Sequence, residues 1–178
     1  MAEIEIQAAH EHEHSADGFA KAVSVMVAVI GIVLAIVTIT SHRAHTAAVI
    51  ERTKANDQWS FYEAKKMREH LMEVGAGLAG VMTSTDPAKA QTLAAQFTKS
   101  SQRYAKDAED VQNEARGFED ASAREEDRAL RLDLGEGFLE LAMVLSSLYF
   151  LSKRRFFPAL GGAAAAIGVA VSATSWLL

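Results

Sequence analysis

From Ala90 to Leu132 the chain keeps one rhythm without a slip. Ala90, Ala94, Phe97, Ser101, Tyr104, Ala108, Val111, Ala115, Phe118, Ser122, Glu125, Ala129 and Leu132 follow one another at alternating spacings of four and three. That repeat is the seam of a coiled coil, and only Ser101, Ser122 and Glu125 in it are polar. A helix with such a seam needs a partner helix. The preceding segment offers Ala64, Met67, Leu71, Val74, Leu78 and Val81 in the same rhythm. Between the two lies Thr83-Ser84-Thr85-Asp86-Pro87-Ala88, where Ser84, Thr85 and Asp86 suit a helix N-cap and Pro87 suits a first turn. So short a turn permits only an antiparallel return. The expectation is a coiled-coil hairpin over residues 41–133 with its tip at 83–88, about 60 Å long by helical rise.

Folding the arms about this tip sets Trp59 level with Val111 and Tyr62 level with Ala108. Trp59, Phe61 and Tyr62 are therefore expected to form an aromatic cluster against Ala108, Val111 and Ala115. Large rings against small residues fill space without voids, so the cluster reads as packing and not as a ligand site.

Charge divides the chain into regions. Residues 41–133 hold 14 Lys/Arg and 16 Asp/Glu, whereas the flanking apolar runs hold almost none. The net charge of −5 comes largely from the start, where Glu3, Glu5, Glu11, Glu13 and Asp17 precede a single Lys21. No basic patch of the kind nucleic acid requires is present, so no nucleic-acid partner is expected. The absence of cysteine excludes disulfides, thiolate metal sites and a cysteine nucleophile. No nucleophile-base set or phosphate-binding glycine loop occurs either, so neither an enzyme nor a cofactor is expected.

Residues 1–18 read as an acidic, flexible tail in which His10, His12 and His14 alternate with Glu11 and Glu13. Those three histidines are weak metal candidates: a spacing of two does not put three imidazoles on one helical face. Residues 19–40 follow as an apolar run long enough to cross a bilayer. The run is too long for a cleaved leader and lacks a basic start. Gly31 and Ala35 give it a small face for helix contact. No strong breaker separates Phe19 from Val81, so the span and the first arm are expected to form one helix.

A second span covers residues 134–151, a basic loop with Lys153-Arg154-Arg155 covers 152–157, and Pro158 opens a third span at 158–178 rich in Gly and Ala. The fold class expected is all-α: three transmembrane helices, with the long antiparallel coiled-coil hairpin inserted between the first and second spans. The short basic loop places itself and the N-terminus on the cytoplasmic side and the hairpin on the other. Three thin helices bury little alone, so a homo-oligomer in a lipid bilayer is expected.

Two carboxylates, Glu136 and Glu140, lie one turn apart in the second span. Ionisable groups at such depth face a bundle interior or a water cavity. Thr38, Thr40, Ser172, Thr174 and Ser175 fall near the same level as hydrogen-bond partners. His42 and His45, three apart, share a face at the exit of the first span and lie near Glu136.

Three stretches resemble the bacterial family called domain of unknown function 4337. They are "HEHEH" in the tail, "KANDQWSFYEAKKMREHL" after the first span, and the end "LRLDLGEGFLELAMVLSSLYFLSKRRFFPALGG". The most specific part is Asp57, Gln58, Trp59, Tyr62, Ala64 and Lys65. The resemblance covers essentially the whole chain and implies a prokaryotic inner-membrane protein. It implies no activity, cofactor or catalytic residue. The function expected is a non-enzymatic membrane protein presenting a rigid hairpin for assembly, spacing or protein-partner binding. The alternative is a small channel or transporter component working through Glu136 and Glu140.

Overall fold

A computed structural model describes residues 2–81 and 86–177, with side chains in the first helix from Gly18 onward. The tip residues 83–85 and the side chains of residues 1–17, His10, His12 and His14 among them, lie outside those described. Three helices account for the rest: α1 (Ala2–Val81), α2 (Pro87–Ser152) and α3 (Phe156–Ala173), followed by a 3-10 turn at Thr174–Leu177. Among the described residues there is no strand. The first span and first arm are continuous in α1, as the lack of breakers leads one to expect. Among the described residues, three helical stretches are long and apolar enough to cross a membrane.

The helix ends follow local chemistry. Asp86 caps α2: its Oδ1 accepts from the Lys89 backbone N–H at 3.3 Å, and Pro87 takes the first helical position. At the other end Lys153 has φ 57°, in the left-handed region, and its N–H donates back to the Tyr149 carbonyl at 2.7 Å. That is the helix-ending arrangement usually given to glycine. Pro158 then lies in the first turn of α3, where a missing backbone N–H does no harm.

The chain forms two compact units, Ala47–Arg124 and the remainder. In Ala47–Arg124, every expected α2 seam residue is buried or half-buried, from Ala90 through Ser122. Ser122 Oγ donates to the Ala48 carbonyl at 2.9 Å, Lys54 lies over the Phe118 ring, Lys65 pairs with Asp107 at 2.8 Å, and Gly75 faces the Phe97 ring. In these contacts numbers fall along α2 as they rise along α1.

The α1 seam differs from the expectation. Met67, Leu71, Val74, Leu78 and Val81 are 67, 59, 67, 61 and 83% exposed. The inward positions are Ala48, Glu51, Ala55, Gln58, Tyr62, Lys65, Glu69, Met72, Ala76 and Ala79, also spaced by threes and fours. Two interleaved heptads thus share this arm, and the less hydrophobic one faces α2. Size is complementary: four of the ten inward positions are alanine, opposite an α2 seam that supplies Phe97, Tyr104, Val111 and Phe118. A Cβ placed on Gly75 would already sit 3.3 Å from Phe97. Phe61 also departs from the expected cluster; one residue off the inner seam, it is 60% exposed.

In the other unit, Val23, Ile30, Val37 and Ala44 of α1 are buried at intervals of seven. Ile30, Val37 and Ala44 pack with Ala129, Leu132, Leu139, Ala142 and Ala164. The α2 and α3 backbones approach closely. A Cβ on Gly135 would meet the Gly168 carbonyl oxygen at 2.8 Å, and one on Gly161 would meet that of Ala142 at 2.8 Å. Small residues make this possible. Gly31 and Ala35 do not contribute: Gly31 has open space around it and Ala35 is exposed.

Candidate functional site

Three polar residues of α1 converge on one face of α2. Thr38, Ser41 and His45, at spacings of three and four along α1, all point to it. Thr38 Oγ1 donates to Glu136 Oε1 at 2.7 Å. Ser41 Oγ donates to Asp133 Oδ1, and the Nε2 of His45 lies 2.9 Å from Asp133 Oδ2. Ser41 is fully buried, so its hydroxyl depends on that carboxylate for a partner. Asp133 and Glu136, one turn apart on α2, are thus each held by α1. Of the expected residues, Thr38, His45 and Glu136 join this ladder. Asp133 takes the place next to His45 expected of Glu136.

The sequence contained a signal for Asp133: it lies three residues before Glu136, on the same helical face, opposite Ser41. Glu140, one turn further, is exposed and makes no hydrogen bond or ion pair among the described residues. Thr40 bonds back to the Ile36 carbonyl, Thr174 to that of Val171, and Ser172 and Ser175 are buried without a hydrogen bond. None of these four reaches Glu140. No group of three or more His, Asp or Glu suited to a metal occurs among the described residues.

Two further clusters mark the ends of the apolar bundle. At one end Phe19 meets Tyr149 edge to face at 5.1 Å, and the Arg155 guanidinium lies 4.9 Å from the Phe19 ring centre. At the other, Arg128 lies 5.5 Å from the centre of the Trp176 ring, and Arg131 donates to the Thr174 carbonyl at 3.2 Å. From Arg131 to Tyr149 along α2 is about 27 Å by helical rise.

In Ala47–Arg124, Trp59 and Tyr104 take part in contacts between α1 and α2. Trp59 and Tyr62 meet edge to face at 5.4 Å, and Trp59 Nε1 donates to Glu119 Oε1 at 3.0 Å. The Lys65 ammonium lies 5.8 Å from the Tyr104 ring centre while bonding to Asp107. That bond holds the Asp107 carboxyl below the usual carboxylate range, and the Glu69 carboxylate raises Lys66 in the same way. These interactions help fix the register of the two helices.

Neither a curated protein nor a solved structure matches the chain. A family model does, over residues 19–178. It takes in the whole polar ladder, both aromatic-basic clusters and the paired arms, and by it the chain belongs to the family described as Domain of unknown function (DUF4337).

Proposed function

We propose that this chain is a non-enzymatic, three-span protein of the bacterial inner membrane that presents an antiparallel coiled-coil hairpin for assembly, spacing or partner binding. The observation that carries this reading is the pair of aromatic-basic clusters. Aromatic rings and arginines prefer the two interfaces of a bilayer, and a separation of about 27 Å is close to the thickness of the hydrocarbon core. Between them the surface is apolar: Val25, Val29, Ile32 and Ile36 of α1 and Leu141 and Val144 of α2 are all exposed. In water such a surface would drive aggregation; in lipid it is solvated.

The hairpin is the part free to meet partners, and its paired arms, with their lysine-carboxylate contacts, support a stiff module. Lys153, Arg154 and Arg155 are exposed in the short loop. They support a cytoplasmic loop and N-terminus with a periplasmic hairpin. Cysteine labelling in intact spheroplasts tests this orientation. With a membrane-impermeant maleimide, Lys99→Cys reacts and Ser152→Cys does not; the reverse pattern contradicts it.

One observation favours a second reading, a small channel or transporter component working through Glu136 and Glu140. Glu140 is exposed and unpartnered beside the apolar surface, and such a carboxylate needs water, a proton or a neighbour.

A further inference from the structure

The outer heptad of α1 is an apolar stripe that α2 leaves exposed. Ala64, Met67, Leu71, Val74, Leu78 and Val81 keep threes and fours over eighteen residues, on the face turned away from α2. A face for irregular contact drifts with the 3.6-residue turn. A spacing of 3.5 keeps one face aligned on another helix along its whole length. The inner heptad has this spacing and is covered by a helix.

We propose that the outer stripe is the surface on which further copies of this chain dock, α1 against α1, parallel and in register. This rests on the membrane reading above, because copies inserted through the same span emerge in the same direction with the same residue at each level. The flanking charges agree with that geometry. Glu63 precedes the stripe position Ala64, and Arg68 follows Met67. In a parallel, in-register pair Glu63 of one copy falls beside Arg68 of the next, because the two are five residues apart at facing edges of the seam. Neither has a hydrogen-bond or ion-pair partner among the described residues. The order of side chains speaks to number. Leu71 and Leu78 take the first position of each three-residue step, and Val74 and Val81 the second. That order favours three or four strands over two.

Cysteine crosslinking in isolated membranes tests this. Met67→Cys and Val81→Cys, made singly, each form disulfide-linked dimers between identical positions on mild oxidation, and Glu73→Cys does not. An antiparallel pairing brings only one level opposite itself, so crosslinking at just one of the two overturns the parallel register. Adding Leu71→Gln and Leu78→Gln abolishes both crosslinks without unfolding the hairpin, since both residues are exposed. Arg68→Glu weakens them at least severalfold, and Glu63→Arg with Arg68→Glu restores them.

Purified wild type has three or four times the chain mass. A dimer lost with the glutamine variants overturns the strand number alone, while a monomer, or an oligomer the glutamines leave intact, overturns the surface. Chain that stays in the membrane after alkaline extraction yet does not crosslink refutes the stripe. Chain released by that extraction refutes the membrane reading.

Discussion

Single residues decide how closely the helices approach. Gly135 is fixed by the Gly168 carbonyl oxygen 2.8 Å from where its Cβ would go, whereas Gly137, two residues on, has open space. Gly135→Ala therefore forces α2 and α3 apart and destabilises the bundle by about 1–3 kcal/mol. Gly137→Ala leaves it unchanged or slightly steadier, because alanine favours a helix over glycine. Thermal unfolding of both variants in the same detergent compares them.

At Asp107 the prediction concerns pH. Its carboxyl titrates below the unfolded value because Lys65 bonds to the ionised form. A depressed carboxylate adds stability that is complete above the unfolded pKa, near 4, and is lost as pH falls through the folded one. The wild-type melting temperature accordingly falls more steeply below pH 4 than that of Asp107→Asn.

Glu140 separates the two functional readings. As a structural group, Glu140→Gln keeps the oligomer size on a native gel, and wild-type liposomes show no pH-dependent flux. A flux present in wild type and lost in Glu140→Gln promotes the channel reading.

At the scale of elements, the α2 seam could be read because its large residues sit in the buried positions, Phe97, Tyr104 and Phe118 among them. The α1 seam could not. That arm carries two 3-4 stripes, and hydrophobicity points to the wrong one, since the inner stripe mixes alanine and charged residues with Gln58, Tyr62 and Met72. Local hydrophobicity cannot report what the partner helix leaves room for. The polar ladder was half legible for a similar reason. Glu136 stands out against an apolar run, while Asp133 looks like one more charge of the arm until Ser41 and His45 are seen to face it. Caps were plainer: Asp86 before Pro87 marks the start of α2 by chemistry local to the chain. Asp86→Ala removes the bond to the Lys89 N–H and lowers stability by about 1 kcal/mol, as seen by chemical denaturation followed by circular dichroism.

On the scale of the whole molecule, the proposed membrane reading turns on where a bilayer would lie along the three apolar helices. The account puts its faces at Phe19, Tyr149 and Arg155 on one side and at Arg128, Arg131 and Trp176 on the other. Depth measurement by spin labels on the exposed α2 positions Leu130, Leu141 and Leu151 in lipid vesicles asks this directly, by comparing collision with dissolved oxygen and with a water-soluble nickel chelate. A deep label at Leu141, favouring oxygen strongly, and shallow labels at Leu130 and Leu151 are the expected result. Equal access of the nickel chelate to all three positions would contradict it.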